Sequence, residues 1–368
     1  MAVSKQALLE ALGKIQVPGL TGSLLDLRMV NELDVTPSDV RLVLASADPS
    51  YPHKAELAEA ARKRLEEVSK GAAVEVTWKP QVASRNIAED DPVPGAKNII
   101  LIMSGKGGVG KSTVATNLAL ALSRMGNRVG LLDADIYGPS IPTMFGINGR
   151  PTTDGTRIQP LSRFGIKLMS IGFLLDDPQS AVVWRGPMLH SALLQFLKDV
   201  DWGDLDFLLL DLPPGTGDVA LTLSQRVRST GAVIVTTPQE VALQDVYKSV
   251  SMAHKVGIPV LGVVENESYF VCDGCDKRHE IFGSGGGAKV AAMAKAPLLG
   301  QIPLDPIVRQ AGDGGIPVVQ SAPRSATAKA FVAIAEQLFT SINQVAPGGA
   351  ALHIDRSGGV NRHLPISR

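Results

Sequence analysis

Residues 104–113, SGKGGVGKST, carry two lysines among four glycines. Gly105, Gly110, Lys111 and Ser112 match G-x-x-x-x-G-K-[ST], a spacing in which glycines let backbone N–H groups turn inward onto phosphate oxygens. Gly105, Lys106, Gly107, Gly108, Val109, Gly110, Lys111, Ser112 and Thr113 are therefore read as a nucleotide cradle rather than a plain Gly-rich turn. Lys111 reaches the β- and γ-phosphates, and the Ser112 hydroxyl ligates Mg²⁺. Lys106 follows the first glycine, where Lys111 already supplies the phosphate contact and leaves the second cation without a task in its own loop.

Acidic groups follow at the ends of later apolar runs. FLLLDLPPGTGD ends one run on Asp211, the position of a carboxylate behind Mg²⁺, and its Gly-rich continuation can shift with the γ-phosphate. LLDADIYGPS supplies Asp133 and Asp135. Asp135 lies further into the loop and is better placed to orient or deprotonate an attacking water. Asp133 also reads as an ordinary cap or turn carboxylate. Asn266, in VVENESY, offers a donor and an acceptor to an adenine edge, with Pro303 of IPLDP in the facing wall.

Cys272 and Cys275, the two cysteines of a 368-residue chain, form C-x-x-C within YFVCDGCDKRHEIFGSGGG. Two thiolates on one turn can face one metal, but tetrahedral zinc or a cubane cluster needs four ligands. His279 brings a zinc site to three at best. A two-fold pair of chains presents the same thiols twice and completes the count. The favoured expectation is a cluster held two-plus-two by a dimer. A structural zinc shared by the dimer is the first alternative. A thioredoxin-type redox pair is the second, although this pair follows a strand instead of opening a helix.

Hydropathy shows what must position these groups. From residue 98, NIILIMSG, RVGLLD, FLLLDLPP, AVIVTTP and PVLGVVEN are short apolar runs separated by helical stretches such as KSTVATNLALALSRMG. Such runs predict an α/β fold, a P-loop NTPase with a mainly parallel sheet covered by helices on both faces. Residues 1–80 predict a small α+β domain. It has a helix over 4–14, alternating LRMVNELDV and VRLVLASA, a helix with Leu57, Ala61, Leu65 and Val68 on one face, and a returning strand AVEVTW. The polar residues 81–97, with two prolines, read as a linker; 98–345 form the ATPase domain, and the Gly/Pro-rich 346–368 a flexible tail.

Lys plus Arg and Asp plus Glu are 36 each, so no basic field marks nucleic acid or an anionic membrane as a partner. No apolar run approaches about 18 residues, and the first residues lack the apolar core of a signal peptide. Two cysteines make no disulfide framework. The expectation is a soluble cytoplasmic protein.

Together, SGKGGVGKST, GLLDADIYGPSIPTMFG, WRGPM (184–188), LDLPPGTGD, VVENESYFVCDGCDKRHEIFGSGGG and GQIPLDP make residues 98–345 similar to the Mrp/ApbC family of iron–sulfur cluster carrier ATPases. GKGGVGKS resembles the deviant Walker A loop of the wider MinD/ParA class, whose additional lysine touches the nucleotide of the other subunit. VPGLTGSLLDLRMVNELDV and DPSYP make residues 1–80 similar to the small iron–sulfur assembly domain that often precedes this ATPase. The resemblance implies ATP hydrolysis, with Lys106 acting across a homodimer and Asp135 and Asp211 serving hydrolysis and Mg²⁺. It implies Cys272 and Cys275 as bridging ligands of a labile [4Fe–4S] cluster, with apo iron–sulfur proteins and cluster scaffold proteins as partners. Two positions depart from the pattern. Tyr51 stands where some relatives have cysteine, and Glu267 where members often have methionine. The rival is a MinD- or ParA-type positioning ATPase with a dimer-bridging zinc. It calls for an amphipathic C-terminal helix or a basic DNA face, and GGAALHIDRSGGVNRHLPISR and the zero net charge favour neither.

Overall fold

The computed structural model describes residues 4–345 apart from 28, 47–50, 70, 81, 136–137, 175–185, 216–217 and 273. The expected tail and the first two residues of WRGPM lie outside the described residues. The chain forms two compact units, one running to Val82 and one starting at Ala83.

The first unit contains α1 (Lys5–Leu12), β1 (Val30–Val35), β2 (Asp39–Ser46), α2 (Lys54–Ser69) and β3 (Ala73–Pro80). β1 pairs antiparallel with β2, and β2 pairs parallel with β3 through the α2 crossover. The four-residue spacing of Leu57, Ala61 and Leu65 gives α2 one apolar face, which joins Leu42 and Leu44 of β2 and Leu8 and Leu12 of α1 in a single core. Tyr51 is part of that core. It is 4% exposed, donates its hydroxyl to the Pro18 carbonyl at 2.6 Å, and is pushed up to about 12 by burial and by Glu56. An aromatic packing role thus accounts for Tyr51 at this position.

The second unit opens with β4 (Ile99–Ser104), α3 (Lys111–Arg124), β5 (Val129–Asp133) and α4 (Ile141–Met144). A short hairpin of β6 (Thr152–Thr153) and β7 (Ile158–Gln159) precedes β8 (Leu161–Arg163) and β9 (Ile166–Ser170). Next come α5 (Gly186–Asp199), β10 (Phe207–Asp211), α6 (Asp218–Arg226), β11 (Gly231–Thr236), α7 (Glu240–Lys255) and β12 (Val260–Glu265). A second hairpin, β13 (Phe270–Val271) and β14 (Arg278–His279), leads to α8 (Gly286–Ala294) and β15 (Leu298–Gln301). α9 (Pro306–Asp313), α10 (Val318–Ser321) and α11 (Ala326–Val345) close it.

Eight strands make one sheet in the order β15-β12-β11-β4-β10-β5-β9-β8, parallel except at β8. Every residue of β4, β5, β10 and β11 is buried, which explains their unbroken apolar runs: helices cover both faces, so neither face selects polar side chains. Parallel pairing also gathers the strand ends. Asp211 pairs with Asp133, Val235 with Ser104, and Thr236 with Glu265, so the loops carrying the candidate site leave one edge of the sheet.

Residues 82–97 have no helix or strand, as a linker would, but they are not a loose tether. Arg85 is 7% exposed and all five of its guanidinium N–H groups are used. They reach Ala96 O at 3.1 Å, Val93 O at 2.8 Å, Arg228 O at 3.2 Å and both oxygens of Asp91. The polar composition concealed a buried ion pair that fastens this segment into the second unit. Among the described residues, no helix is long and apolar enough to cross a membrane.

Burial alone would raise the Asp91 carboxyl. Hydrogen bonds from Arg85 and from the Val93 N–H overcome it and hold the carboxyl below its ordinary value. Its contribution to stability is therefore full above the unfolded value near pH 4 and is lost as pH falls through the lower folded value. Arg85→Ala leaves that carboxylate buried and unpaired, and urea unfolding at pH 7 should show a loss of about 3–5 kcal/mol. The gap between the natural chain and the variant should narrow on acidification below about pH 5.

Candidate functional site

The loop 105–110 joins the end of β4 to the start of α3, with Gly110 as N-cap in the left-handed region. A side chain on Gly105 would run into the backbone of Asp245 and Val246 in α7, so glycine lets the loop lie against that helix. Lys111 is 6% exposed. Its ammonium lies 2.6 Å from Asp211 Oδ1, 3.4 Å from Ser112 Oγ and 3.9 Å from Asp135 Oδ2. The fold thus brings together Lys111, Ser112, Asp135 and Asp211 from three separate stretches of sequence.

Asp211 is completely buried, and its Oδ2 accepts no hydrogen bond among the described residues. An orphaned carboxylate oxygen beside a serine hydroxyl is the donor set of a hard, oxygen-seeking divalent cation that keeps much of its water. Ser112 and Asp211 are the residues that would hold Mg²⁺. Burial raises the Asp211 carboxyl, and Lys111 opposes the shift. Burial and the charge of Asp211 on the neighbouring strand raise Asp133 as well.

The two aspartates of LLDAD differ in surroundings. Asp133, 1% exposed, accepts from Asp135 N at 3.1 Å, Ile141 N at 3.3 Å and Ser170 Oγ at 3.1 Å, which braces the loop onto α4 and β9. Asp135 is the carboxylate that looks onto Lys111, with its side chain 14% exposed. The neighbouring Ile136 and Tyr137, and Thr216 and Gly217 of PPGTGD, lie outside the described residues. Lys106 is half-buried; its carbonyl accepts from Ser104 Oγ at 3.0 Å, and its ammonium makes no ion pair among the described residues.

Asn266 lies at the P-loop. It is buried after the last residue of β12, and its Nδ2 donates to Val109 O at 3.0 Å. Pro303 is also buried, next to Ile302, whose N–H donates to Glu265 O at 2.9 Å and whose carbonyl accepts from Ser268 N at 2.8 Å.

The cysteines occupy the turn of the β13–β14 hairpin. Cys272 N donates to Lys277 O at 3.0 Å, while Cys275 N and Asp276 N both donate to Cys272 O, at 3.3 and 2.8 Å. Asp276 takes a left-handed conformation that closes the turn (φ 55°). Cys275 is exposed, and Cys272 partly so. Among the described residues, no group of three or more His, Cys, Asp or Glu side chains could hold a metal ion, so His279 on β14 does not complete a three-ligand set with the pair. Val271, Ile281 and Phe282, on either side of the cysteines, are exposed apolar residues.

Sequence reasoning passed over Glu265. It is fully buried and accepts from Ser268 Oγ at 2.5 Å, from Gln301 Nε2 at 2.7 Å and from the Gly287 N–H. A carboxylate closing the otherwise apolar run VLGVVE was the signal that marked it.

The family model for NUBPL iron-transfer P-loop NTPases matches residues 95–339, and a model for iron–sulfur cluster assembly proteins matches residues 5–78. An iron–sulfur cluster carrier protein of Synechocystis sp. is 44% identical over 351 residues, spanning 94% of this chain and 99% of its own. The iron–sulfur cluster carrier protein of Escherichia coli strain K12 is 46% identical over 332 residues, with 89% and 88% covered. Among solved structures, a nucleotide-binding protein from Archaeoglobus fulgidus in complex with ADP aligns at TM-score 0.55 and 40% identity, over 62% of this chain and 92% of its own. The cell division ATPase MinD of Pyrococcus furiosus aligns at TM-score 0.50 and 28% identity, over 66% and 98%.

Gly108 and Gly110 share nearly one backbone conformation, φ 79° and 80°. A side chain on Gly108 would meet nothing within 4 Å, whereas one on Gly110 would collide with Asn266 Nδ2. Gly108→Ala should therefore cost only the left-handed penalty, about 1–2 kcal/mol. Gly110→Ala should cost distinctly more, and the excess should vanish in an Asn266→Ala background. Urea denaturation of the four nucleotide-free variants measures both differences.

Proposed function

The chain belongs to the family of NUBPL iron-transfer P-loop NTPases, and from that premise we propose that it is an ATP-dependent iron–sulfur cluster carrier acting as a homodimer. The observation that carries the reading is the cysteine turn. It offers two thiols on a formed hairpin beside exposed apolar side chains, with no further ligand grouped around them among the described residues. A two-fold partner supplies the missing pair, and Val271, Ile281 and Phe282 suit the contact that brings it there. Lys106, whose ammonium has no ion pair among the described residues, suits a contact with the partner's nucleotide.

In this reading the phosphates take Lys111 from Asp211, and the N–H groups of the loop and the start of α3 bind the remaining phosphate oxygens. Ser112 and Asp211 would hold Mg²⁺, which would supply charge neutralisation for the transferred phosphoryl group. Asp135 orients the attacking water, and Asn266 and Pro303 border the adenine. The cargo is a [4Fe–4S] cluster bridged by Cys272 and Cys275 of both chains. Cluster scaffold proteins supply it and apo iron–sulfur proteins receive it. A reducing cytoplasm keeps both thiols available.

Anaerobic reconstitution with iron and sulfide should give about four irons per two chains with a visible absorption that oxygen bleaches. Cys272→Ala or Cys275→Ala should abolish both. Tight colourless zinc and no iron uptake would instead support a structural metal. Lys111→Ala should still take up the cluster yet fail to activate an apo iron–sulfur protein; full activation by that variant would contradict nucleotide dependence. Ile281→Asp combined with Phe282→Asp should leave ATP binding intact while lowering both iron uptake and the dimer fraction in sedimentation.

A further inference from the structure

Glu265 sits fully buried at the end of β12, and none of the chemistry above employs its charge. Its three hydrogen bonds converge from different elements. Ser268 stands two residues before β13, and Gly287 lies in the first turn of α8, just beyond the cysteine segment. Gln301 ends β15. A single carboxylate therefore ties both roots of the segment that carries Cys272 and Cys275. A Cβ on Gly287 would come within 2.8 Å of the Glu265 Cβ, so the glycine admits the carboxylate to the start of α8, where N–H groups and the helix dipole favour negative charge.

The next residue faces the other way along the chemistry. Asn266 donates to the P-loop carbonyl of Val109 at 3.0 Å and fills the space that a side chain on Gly110 would need. Adjacent side chains thus hold the phosphate loop on one side and the cysteine segment on the other. Glu267, left-handed at φ 53°, then turns the chain sharply into Ser268. Leu304 N donates to Tyr269 O at 2.7 Å and Ser268 N to Ile302 O at 2.8 Å, so the hairpin root is fixed along its backbone too.

We propose that Glu265 and Asn266 couple the nucleotide site to the cysteine hairpin, with Glu265 as the positioning residue for Cys272 and Cys275. Phosphates that draw in the Val109–Gly110 backbone change the seat of Asn266. The end of β12 moves with it, and Glu265 carries the displacement to Ser268 and Gly287 together. Both roots shift as one body, and the cysteine turn follows. The biological sense of this link rests on the carrier reading, but the link itself concerns thiols and nucleotide and is measured without a cluster.

The test is the alkylation rate of Cys272 and Cys275 by iodoacetamide in the full, metal-free chain, resolved by peptide mass spectrometry. Rates are compared without nucleotide, with Mg–ADP and with a non-hydrolysable Mg–ATP analogue. In the natural chain, nucleotide should change the rate by about fivefold or more. Glu265→Ala, which cuts all three ties, should abolish the change in a chain that still binds nucleotide. Glu265→Gln should restore it, because its carbonyl can accept from Gly287 while the Ser268 hydroxyl and the Gln301 amide reverse their roles. If Glu265→Ala does not fold, Ser268→Ala decides: cutting the carboxylate's tie to one root should reduce the response by at least about half. A natural chain whose thiols ignore nucleotide overturns the proposal. So does a full response in folded Glu265→Ala, or in Ser268→Ala. Iron uptake is scored separately. A chain that takes no iron yet shows the nucleotide response and its loss in Glu265→Ala keeps the link and refutes the carrier reading.

Discussion

The ammonium of Lys111 and the carboxylate of Asp211, 2.6 Å apart and almost entirely removed from water, define what the site will accept. Two charges held out of water, one at the end of β10 and one at the start of α3, are tolerated because each neutralises the other, and separating them without replacement is costly. A ligand that takes Lys111 must bring a comparable anion, and Asp211 then needs a new cation beside its otherwise unpartnered Oδ2. A nucleotide polyphosphate carrying a divalent metal supplies both, phosphate oxygens for Lys111 and a cation for Asp211. The same pair explains why the lysine is fixed before any ligand arrives, with little side-chain freedom left to lose.

The parallel sheet is what makes the exchange local. β4, β5, β10 and β12 all run the same way, so the glycine loop, Asp135, Asp211 and Asn266 emerge on one edge although more than a hundred residues separate the first from the last. The cysteine hairpin departs from that edge as well, only a few residues beyond β12. Nucleotide and thiols are thus neighbours in the fold through one strand end. In this account the second lysine and the short ligand count of the cysteine turn both call for a second chain.

Much of this was legible in the sequence, for identifiable reasons. Buried parallel strands have to be apolar throughout, so IILIMS, VGLLD, FLLLD and GAVIVT announced both the sheet and the loops at its edge. Glycine spacing marked the phosphate loop because few other residues permit its backbone. The buried polar fasteners were harder to read. Arg85 and Asp91 sit in a stretch with the composition of a tether, and only the fold shows five guanidinium N–H groups finding acceptors there. Glu265 was hidden for the same reason: its partners Ser268, Gly287 and Gln301 are brought together by tertiary contacts, which no spacing rule encodes. The Asn266 contact with Val109 also joins residues far apart in sequence, and it adds a structural duty to a side chain first read as a base contact.

The central claim is that two chains share one cluster, and native mass spectrometry of the anaerobically loaded protein addresses it directly. The account predicts that the cluster mass appears on the two-chain species, once per pair, and that single chains fly bare. A cluster carried intact by single chains, or one cluster on each chain of a pair, would contradict it.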